Sequence, residues 1–232
     1  MEEMRDATLE LLVDLARPTS HDTVLDFACG AGLAGFAIAS DVRSVEAADE
    51  LPDMLDEGGR LAVELGLDNV SFSLVDLYAL PYEAGSFSLV VCRNAFHRLP
   101  EPGAALAELL RLVSTGGRIV IVDPVVDEVT DKDFNDLARL REPAHRRHYR
   151  EDEIDELARG AGLRVTRRGA ARRTTDLVYW LQAAAVPAAK TALIRDRFRK
   201  LPVDVQARMD VAFSDRMVSF SYDVAGVRLE PA

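Results

Sequence analysis

The stretch that decides the fold is LDFACGAGLAG, from Leu25 to Gly35. It joins a short apolar run to a loop with glycines at positions 30, 32 and 35, which is the G-x-G-x-x-G spacing of dinucleotide-binding loops. The same letters can be interpreted as an aspartate that ends a strand and opens a glycine loop around a ligand without phosphate groups. The two interpretations imply different cofactors, so the rest of the sequence must decide between them.

Length and composition favour a single domain over residues 1–232. With 232 residues, 48% of them hydrophobic, the chain can bury a sizeable core. The formal net charge of −11 argues against a nucleic-acid partner. No apolar run approaches the roughly 20 residues that span a bilayer, so we expect no membrane partner. The acidic N-terminus is unlike a signal peptide, and two cysteines provide no disulfide framework, which favours a cytoplasmic protein.

Predicted strands and helices alternate along the chain. The predicted strands cover residues 23–27, 42–49, 70–76, 86–92, 118–123 and 216–229. The predicted helices cover residues 4–16 (with Met4 on the apolar face), 33–40, 52–66, 101–117 and 150–163. This alternation is typical of an α/β fold with a parallel sheet and helices on both faces. The last apolar run, 216–229, is expected to return to the edge of the sheet.

Ligands of such sheets bind outside the carboxyl ends of the strands. That rule brings residues 26–32, 49–51, 76–77 and 92–97 around one crevice. Two stretches do not fit the alternation. Residues 125–149 form an insertion, and residues 174–213 are predicted to hold two or three helices, broken at Pro187 and Pro202. Since insertions after strand ends commonly carry binding residues, we expect both to form a cap over the site.

The loop is better suited to a cation than to a pyrophosphate. Asp26, four residues before Gly30, would face a phosphate anion unfavourably but would suit an ammonium group. Asp49 ends the second strand and can accept hydrogen bonds from a ribose diol. Asp76 ends the third strand, where its carboxylate can accept from an adenine amino group while the Leu77 N–H donates to a ring nitrogen. Together these positions suit adenosine joined to an amino acid, that is, S-adenosylmethionine.

Four motifs in register then give a family resemblance. VLDFACGAGLAGFAIA, AADELPDML, VDLYALPYEAGSFSLVVCRNAFHRLPEP and LAELLRLVSTGGRIVIVD resemble, in order and spacing, the class I S-adenosylmethionine-dependent methyltransferases. The chain looks most like the small-molecule group that includes the quinone C-methyltransferases, and the resemblance is dense over residues 22–123. It implies a Rossmann-like, doubly wound, mostly parallel seven-stranded sheet with the last strand antiparallel, a cofactor-binding core over residues 20–124, and a helical cap formed by the insertions.

The resemblance also implies roles for individual residues. Asp26, Gly30 and Gly32 match the motif that holds the methionine moiety, and Ala28 stands in that motif where glycine is frequent. Arg93 and Asn94 follow the fourth strand, beside the methionine end. The remaining cofactor-binding candidates are Asp49 for ribose, Asp76 and Leu77 for adenine, and Glu50 and Met54 nearby.

One part of the pattern departs from the family. Glu50 and Leu51 replace the usual apolar residue and Ser/Thr that follow the ribose acid. Either Leu51 or Met54 covers one adenine face, or the register shifts by one and Glu50 binds ribose. We favour Asp49, because Met54 then falls where the motif expects it.

Several of these residues also have structural interpretations. Asp26 could cap the following helix, and Asp76 could be a turn residue. His97, just past the fourth strand, is the candidate catalytic residue, because a histidine can act as a base at neutral pH. The alternative is a loop histidine held by structural hydrogen bonds. His145 and His148 are three residues apart, but no clustered ligand supports them, so we expect no metal.

The run RLREPAHRRHYR, residues 139–150, holds five arginines that could grip an anionic group of a substrate or could form a solvated helix end. We therefore expect methyl transfer from S-adenosylmethionine to a small molecule such as a quinone, phenol or natural-product intermediate, by a monomer or homodimer. The alternatives are a non-methylating reaction such as a cyclisation on the same cofactor and an NAD(P)-dependent oxidoreductase.

Overall fold

The computed structural model describes residues 7–214 and 217–232 of the chain. Met4 at the start of the first predicted helix, and position 216 at the start of the last predicted strand, lie outside the described residues. Among the helices of the described part, none is long and apolar enough to cross a membrane.

Strands and helices alternate through the first two thirds of the chain, as predicted. The helices are α1 (Ala7–Ala16), α2 (Leu33–Ile38), α3 (Pro52–Leu65), α4 (Pro102–Leu112), α5 (Asp131–Arg141), α6 (Glu151–Gly160), α7 (Leu177–Gln182), α8 (Ala188–Arg199) and α9 (Val203–Arg208). The strands are β1 (Thr23–Phe27), β2 (Ser44–Asp49), β3 (Val70–Leu74), β4 (Phe87–Arg93), β5 (Val113–Val125), β6 (Leu163–Asp176), β7 (Ala212–Phe213) and β8 (Val218–Pro231). Short 3-10 turns lie at Ala39–Asp41 and Phe96–Arg98.

All of these strands belong to one sheet, in the order β3-β2-β1-β4-β5-β8-β6, with β7 paired to β8. The five strands from β3 to β5 pair in parallel, and β8 pairs antiparallel with both β5 and β6. The predicted fold class is therefore confirmed: a mostly parallel α/β sheet whose last strand is antiparallel.

Three details of the sheet were predicted wrongly. The described residues form eight strands instead of seven, because the two-residue strand β7 pairs with β8. The last strand does not lie at the edge but between β5 and β6. The edge strand, β6, was not predicted as a strand, because its arginine-rich sequence LRVTRRGAARRTTD lacks the apolar run of a central strand. An edge strand can carry such charges because part of its surface is exposed to solvent. The charges also discourage pairing with the sheet of another molecule.

The helix predicted for 101–117 is shorter than expected. Helix α4 ends at Leu112, and Val113 already pairs with Phe87 of β4. The glycine pair Gly116–Gly117 therefore lies inside the start of β5, not at a helix end. At Gly117 a Cβ would come within 2.9 Å of the Ser88 carbonyl oxygen. Glycine at this position therefore allows β4 and β5 to approach closely.

The sequences of the central strands are continuous apolar runs because apolar clusters cover both faces of the sheet. Along β4, Leu89 and Val91 pack into one apolar cluster, and Val90 and Cys92 pack into the other. A third cluster joins helices α5 and α7–α9 to β8. The helices outside the alternating core thus share a core of their own, which holds them beside the carboxyl end of the sheet.

A buried ion pair ties the N-terminal helix to the sheet. The Arg118 guanidinium on β5 donates to both oxygens of Asp22, at 3.0 and 2.8 Å, and to the carbonyl oxygens of Ala16 and Arg17 at the end of α1. Arg118 and the hydrogen bonds from Ser88 and Thr19 hold the pKa of Asp22 well below its usual range, although burial opposes this.

We expect the Arg118→Met variant to lose about 3 kcal/mol of unfolding free energy or more, because it leaves the buried Asp22 carboxylate without its cation. Urea denaturation followed by circular dichroism measures this loss. The control is Arg164→Met, since the Arg164 side chain is 60% exposed in its pair with Glu230 and its loss is expected to cost under about 1 kcal/mol. Equal costs for the two variants would contradict the assignment.

Candidate functional site

Asp26 is the most buried of the predicted cofactor-binding residues, with 1% of its surface exposed. Its Oδ2 accepts the backbone N–H of Gly35 in α2 at 2.7 Å, so one oxygen does hold the following helix. Its Oδ1 is buried and has no hydrogen-bond partner among the described residues. Burial raises the pKa of Asp26 to about 7, against the lowering effects of the Gly35 N–H and Arg93. An unpartnered buried oxygen of this kind suits a cationic ligand.

The third glycine of the opening motif serves packing. A Cβ on Gly35 would lie 2.8 Å from Cγ1 of Val45 and 3.1 Å from Oδ2 of Asp26. Gly35 therefore lets α2 approach β1 and β2 closely, whatever nucleotide binds. Gly35 therefore does not distinguish a phosphate-binding loop from a loop that binds another nucleotide.

The loop between β1 and α2 turns through left-handed backbone positions. Ala28, Gly30 and Gly32 have φ angles of 53°, 55° and 83°. A Cβ on Gly32 would meet rings of Phe36 and Phe72 at 3.1 to 3.2 Å, so both space and conformation require glycine there. Ala28 adopts the same kind of conformation without being glycine, which costs roughly 1–2 kcal/mol.

Asp49 is joined directly to this loop. Its Oδ2 accepts the Gly30 N–H at 2.7 Å, and its Oδ1 accepts the Leu51 N–H at 3.0 Å. Met54 lies beside the loop, since a Cβ on Gly30 would be 3.5 Å from its Cε, whereas Leu51 is more exposed than Met54. The contacts of Asp49 thus bring the predicted ribose residue to the predicted methionine-binding glycines.

The predicted adenine residues form a turn after β3. Oδ1 of the exposed Asp76 accepts the Tyr78 N–H at 2.8 Å, as its turn interpretation requires. The N–H of buried Leu77 donates to Oε1 of Glu50 at 3.2 Å. Glu50 is therefore close to the predicted adenine donor, and an adenine ring nitrogen that accepts from Leu77 would take the place of the Glu50 carboxylate.

Arg93 and Asn94 lie where the loop region meets a large cavity. The Arg93 Nε donates to Oγ1 of Thr8 at 2.8 Å, and its charge acts on the buried Asp26. Asn94 has a φ of 53°, and its N–H donates to the Val122 carbonyl oxygen. Both residues are part of the wall of this cavity.

The cavity has a volume of about 690 Å³, within the range of small-molecule sites. It opens between the carboxyl end of the sheet and the helices α5 and α7. Its wall consists of Leu33, Arg93, Asn94, His97, Arg98, Pro124, Arg141, His148, Arg173, Thr175, Tyr179, Trp180, Ala183 and Tyr222.

His97 is the one candidate catalytic residue, and it lies in this wall. Its Nδ1 is 2.6 Å from Oδ1 of buried Asp123, while Oδ2 of Asp123 accepts the Phe96 N–H at 2.8 Å. A carboxylate can only accept, so Nδ1 of His97 donates, and in the neutral form of the ring Nε2 keeps its lone pair. This arrangement prepares His97 to take a proton.

Two further histidines pack against His97. The ring centroids of His145 and His148 lie 5.5 and 4.9 Å from that of His97. Burial lowers the pKa of His145 to about 3 and that of His148 far below its usual value, and the proximity of His97 acts in the same direction. Asn135 bonds both, through Nε2 of His145 and the N–H of His148. The two rings are therefore neutral near pH 7.

His97, Asp123 and His148 place ligand-type atoms within 4.8 Å of one another. Two atoms that bind the same zinc ion stand about 3.3 Å apart. The separation of 2.6 Å between His97 and Asp123 is instead that of a charge-assisted hydrogen bond. The absence of a metal stays a prediction.

Sequence reasoning missed Asp123 and several residues of the cavity wall, among them Arg98 and Arg173. Asp123 lies near the carboxyl end of the RIVIVD run, and the strand-end rule that singled out Asp26 and Asp49 could have found it. In the run 139–150, Arg141 reaches the cavity, whereas Arg147 and Arg150 pair with Asp131 and Glu153. The run is thus split between a binding wall and a structural ion-pair network.

The family described as "Methyltransferase domain" matches residues 18–172. The chain belongs to this family. The match confirms the family resemblance given by the four motifs. It includes the glycine loop, Asp49, Asp76 and His97, and it ends within β6, before α7–α9.

Two relatives show how far the sequence similarity extends. The uncharacterised methyltransferase YcgJ of Bacillus subtilis strain 168 is 32% identical over 139 residues, which are 59% of this chain and 55% of that protein. The demethylmenaquinone methyltransferase of Clavibacter sepedonicus is 37% identical over 106 residues, 46% of this chain and 42% of that protein. The chain thus spans about half the length of these relatives.

Similarity of fold to a solved structure extends over nearly the whole chain. A crystal structure of a Bacillus halodurans C-125 protein covers 98% of this chain and is itself covered completely, with a TM-score of 0.90 at 23% identity. The helices beyond the family match are therefore part of a shared fold.

We expect the Ala28→Gly variant to raise the free energy of unfolding by about 1 kcal/mol, because glycine adopts a φ of 53° without strain. The matched control is Ala31→Gly in the same loop. It relieves no left-handed residue and is expected to lower stability by about 0.5 kcal/mol through the entropy of the unfolded chain. Urea denaturation measures both, and a loss of stability in both variants would contradict the strain at Ala28.

Proposed function

We propose that this methyltransferase domain transfers a methyl group from S-adenosylmethionine to a small-molecule acceptor. The observation that carries the proposal is the unpartnered, buried Oδ1 of Asp26 beside the glycine loop. The ammonium group of a methionine moiety would satisfy this oxygen and favour its charged form. A pyrophosphate would meet the same carboxylate with like charge, which disfavours NAD(P).

The other predicted residues fit the rest of the cofactor. Gly30 and Gly32 let the backbone pass close to the methionine moiety, and Asp49, held between the loop and α3, offers carboxylate oxygens for the ribose diol. Asp76 and the Leu77 N–H would hold adenine. When bound there, the cofactor supplies an electrophilic methyl group on a sulfonium.

The cavity fits the role of an acceptor pocket. It begins at Arg93 and Asn94, next to the predicted methionine end, and continues to His97. With Nδ1 held by Asp123, His97 offers Nε2 as the base that removes a proton from an acceptor hydroxyl or acidic carbon. The walls would align the acceptor with the methyl donor, which itself contributes much of the rate.

The acceptor we propose is a quinone, phenol or natural-product intermediate, so that the protein serves small-molecule biosynthesis. Aromatic walls from Tyr179, Trp180 and Tyr222 support a planar acceptor. We further propose that the chain works in the cytoplasm as a monomer or homodimer, in keeping with its two free cysteines. A cyclisation on the same cofactor would release no S-adenosylhomocysteine, which separates it from methyl transfer.

The first test is titration calorimetry with S-adenosylhomocysteine as a function of pH. Because a cation favours ionised Asp26, whose pKa is about 7 in the free protein, affinity should rise with pH and level off above that value. Below it, affinity should fall by up to about ten-fold per pH unit. The Asp26→Asn variant should bind more weakly and without this pH dependence.

The control for this test is Asp53→Asn, which removes an exposed acid in the first turn of α3 and should keep the wild-type profile. A parallel titration with NAD tests the alternative. Binding of NAD but not of S-adenosylhomocysteine would reject the proposal.

A second prediction concerns Asp123 as the residue that positions His97. In Asp123→Asn the amide oxygen should accept the Phe96 N–H, so the amide NH₂ faces Nδ1 of His97 and shifts the ring proton to Nε2. We expect turnover to fall by about 10²- to 10⁴-fold, as for loss of a general base. The rate is measured as the formation of S-adenosylhomocysteine from S-adenosylmethionine, with a panel of naphthols and naphthoquinols as acceptors.

The tautomer itself is measured by ¹⁵N NMR of the histidine rings. Wild-type His97 should carry its proton on Nδ1, and Asp123→Asn should move it to Nε2 while cofactor affinity stays unchanged. A rate loss without a tautomer change would show that Asp123 acts only on the structure.

A further inference from the structure

Three arginines project into the acceptor cavity from separate elements. Arg98 ends the 3-10 turn that carries His97, Arg141 ends α5, and Arg173 lies on β6 opposite Tyr222 of β8. Three separate parts of the chain therefore place positive charge at one wall. No acidic residue is among the described residues that line the cavity.

Two of these arginines, Arg98 and Arg141, share the carboxylate of Glu142. Glu142 contacts Arg98 at 2.5 Å and Arg141 at 3.5 Å, so the carboxylate serves two guanidinium groups at once. Burial lowers the pKa of Arg141, and the charges of Arg98 and Arg173 add to that effect. Because these positive charges repel one another, an anion bound beside them would be electrostatically favoured.

The nearby histidines do not add to this charge in a neutral solution, because His145 and His148 are held uncharged. Arg93 is a different case, since its charge acts on Asp26 at the predicted methionine end. The three arginines are thus distinct from the residues expected to contact the cofactor.

An aromatic surface lies directly beside the arginines. The Arg141 guanidinium carbon is 4.7 Å from the centroid of the Trp180 ring, and its Nε donates to the Trp180 carbonyl oxygen at 2.8 Å. These contacts hold the guanidinium in a fixed orientation. Tyr179 and Tyr222 extend the aromatic wall. A planar ring with an acidic substituent could therefore place its ring against the aromatic side chains and its acidic group against the arginines.

We propose that the acceptor is an aromatic organic anion whose carboxylate or phosphate group is bound by Arg98, Arg141 and Arg173. Both anions match the fork of donors on a guanidinium. This assignment rests on the proposed function, because it takes the cavity as the acceptor pocket. It narrows the acceptor from any small planar molecule to one with a fixed negative charge.

The test uses three probes of one shape: 1-naphthoate, 1-naphthyl phosphate and neutral 1-naphthamide. Each is titrated by calorimetry into the protein saturated with S-adenosylhomocysteine. We expect at least one anion to bind about ten-fold more tightly than the amide, the gain for hydrogen bonds to a charged group. The tighter of the two anions identifies the source of the charge.

The variants separate this wall from general electrostatics. Arg98→Gln and Arg173→Gln should each weaken anion binding by about ten-fold and leave amide binding unchanged. Glu142→Gln should strengthen anion binding, because it removes the competing carboxylate. The matched control is Arg146→Gln, an exposed arginine of the same segment that is not part of the wall, and it should have no effect.

Equal affinity for the three probes, failure of both anions to bind at millimolar concentration, or full anion affinity in Arg98→Gln and Arg173→Gln would overturn the assignment. The failure of the proposed function looks different, because S-adenosylhomocysteine itself would then not bind. In that case the same titrations without cofactor still decide whether the wall prefers an anion.

Discussion

The hydrogen bond from the Gly35 N–H to Asp26 is the contact on which the rest of the site depends. It joins the end of β1 to α2 inside the core, and it fixes the direction in which the intervening loop must turn. With both ends held, the loop reaches the left-handed positions at Ala28, Gly30 and Gly32. The Gly30 N–H is then presented to Asp49, so the ends of two neighbouring strands form one surface. The remaining oxygen of Asp26 is left for a ligand.

The site divides by charge along the carboxyl edge of the sheet. The half built on β1, β2 and β3 presents Asp26, Asp49 and Asp76, which suits a cofactor with a positive end. The half built on the 3-10 turn after β4, on α5 and on β6 presents arginines, which suits an acceptor with a negative group. His97 lies in the wall of the second half, held by Asp123. Transfer from a cationic donor to a deprotonated acceptor reduces the charge on both, and a low-dielectric cavity favours that loss.

Much of the first half could be predicted from the sequence because its determinants are local. A strand, a turn with left-handed residues and a helix occupy consecutive positions, and the parallel arrangement then brings Asp26, Asp49 and Asp76 to one edge. The sequence left open which role Asp26 has. Asp26 was a helix-capping residue or a ligand-binding one, and the structure shows one oxygen in the first role while the other has no partner.

The second half depends on contacts between distant segments, which no local pattern reports. Arg98, Arg141 and Arg173 meet only because β8 enters the sheet between β5 and β6 and brings the neighbouring helices against its end. In the sequence, Arg141 was indistinguishable from Arg147, although one lines the cavity and the other pairs with Asp131. Arginine-rich β6 looked unlike a strand for the same reason that it is useful: an edge strand can carry charges that a central strand cannot bury. The part of the molecule that was hardest to predict is therefore the part to which we assign acceptor recognition.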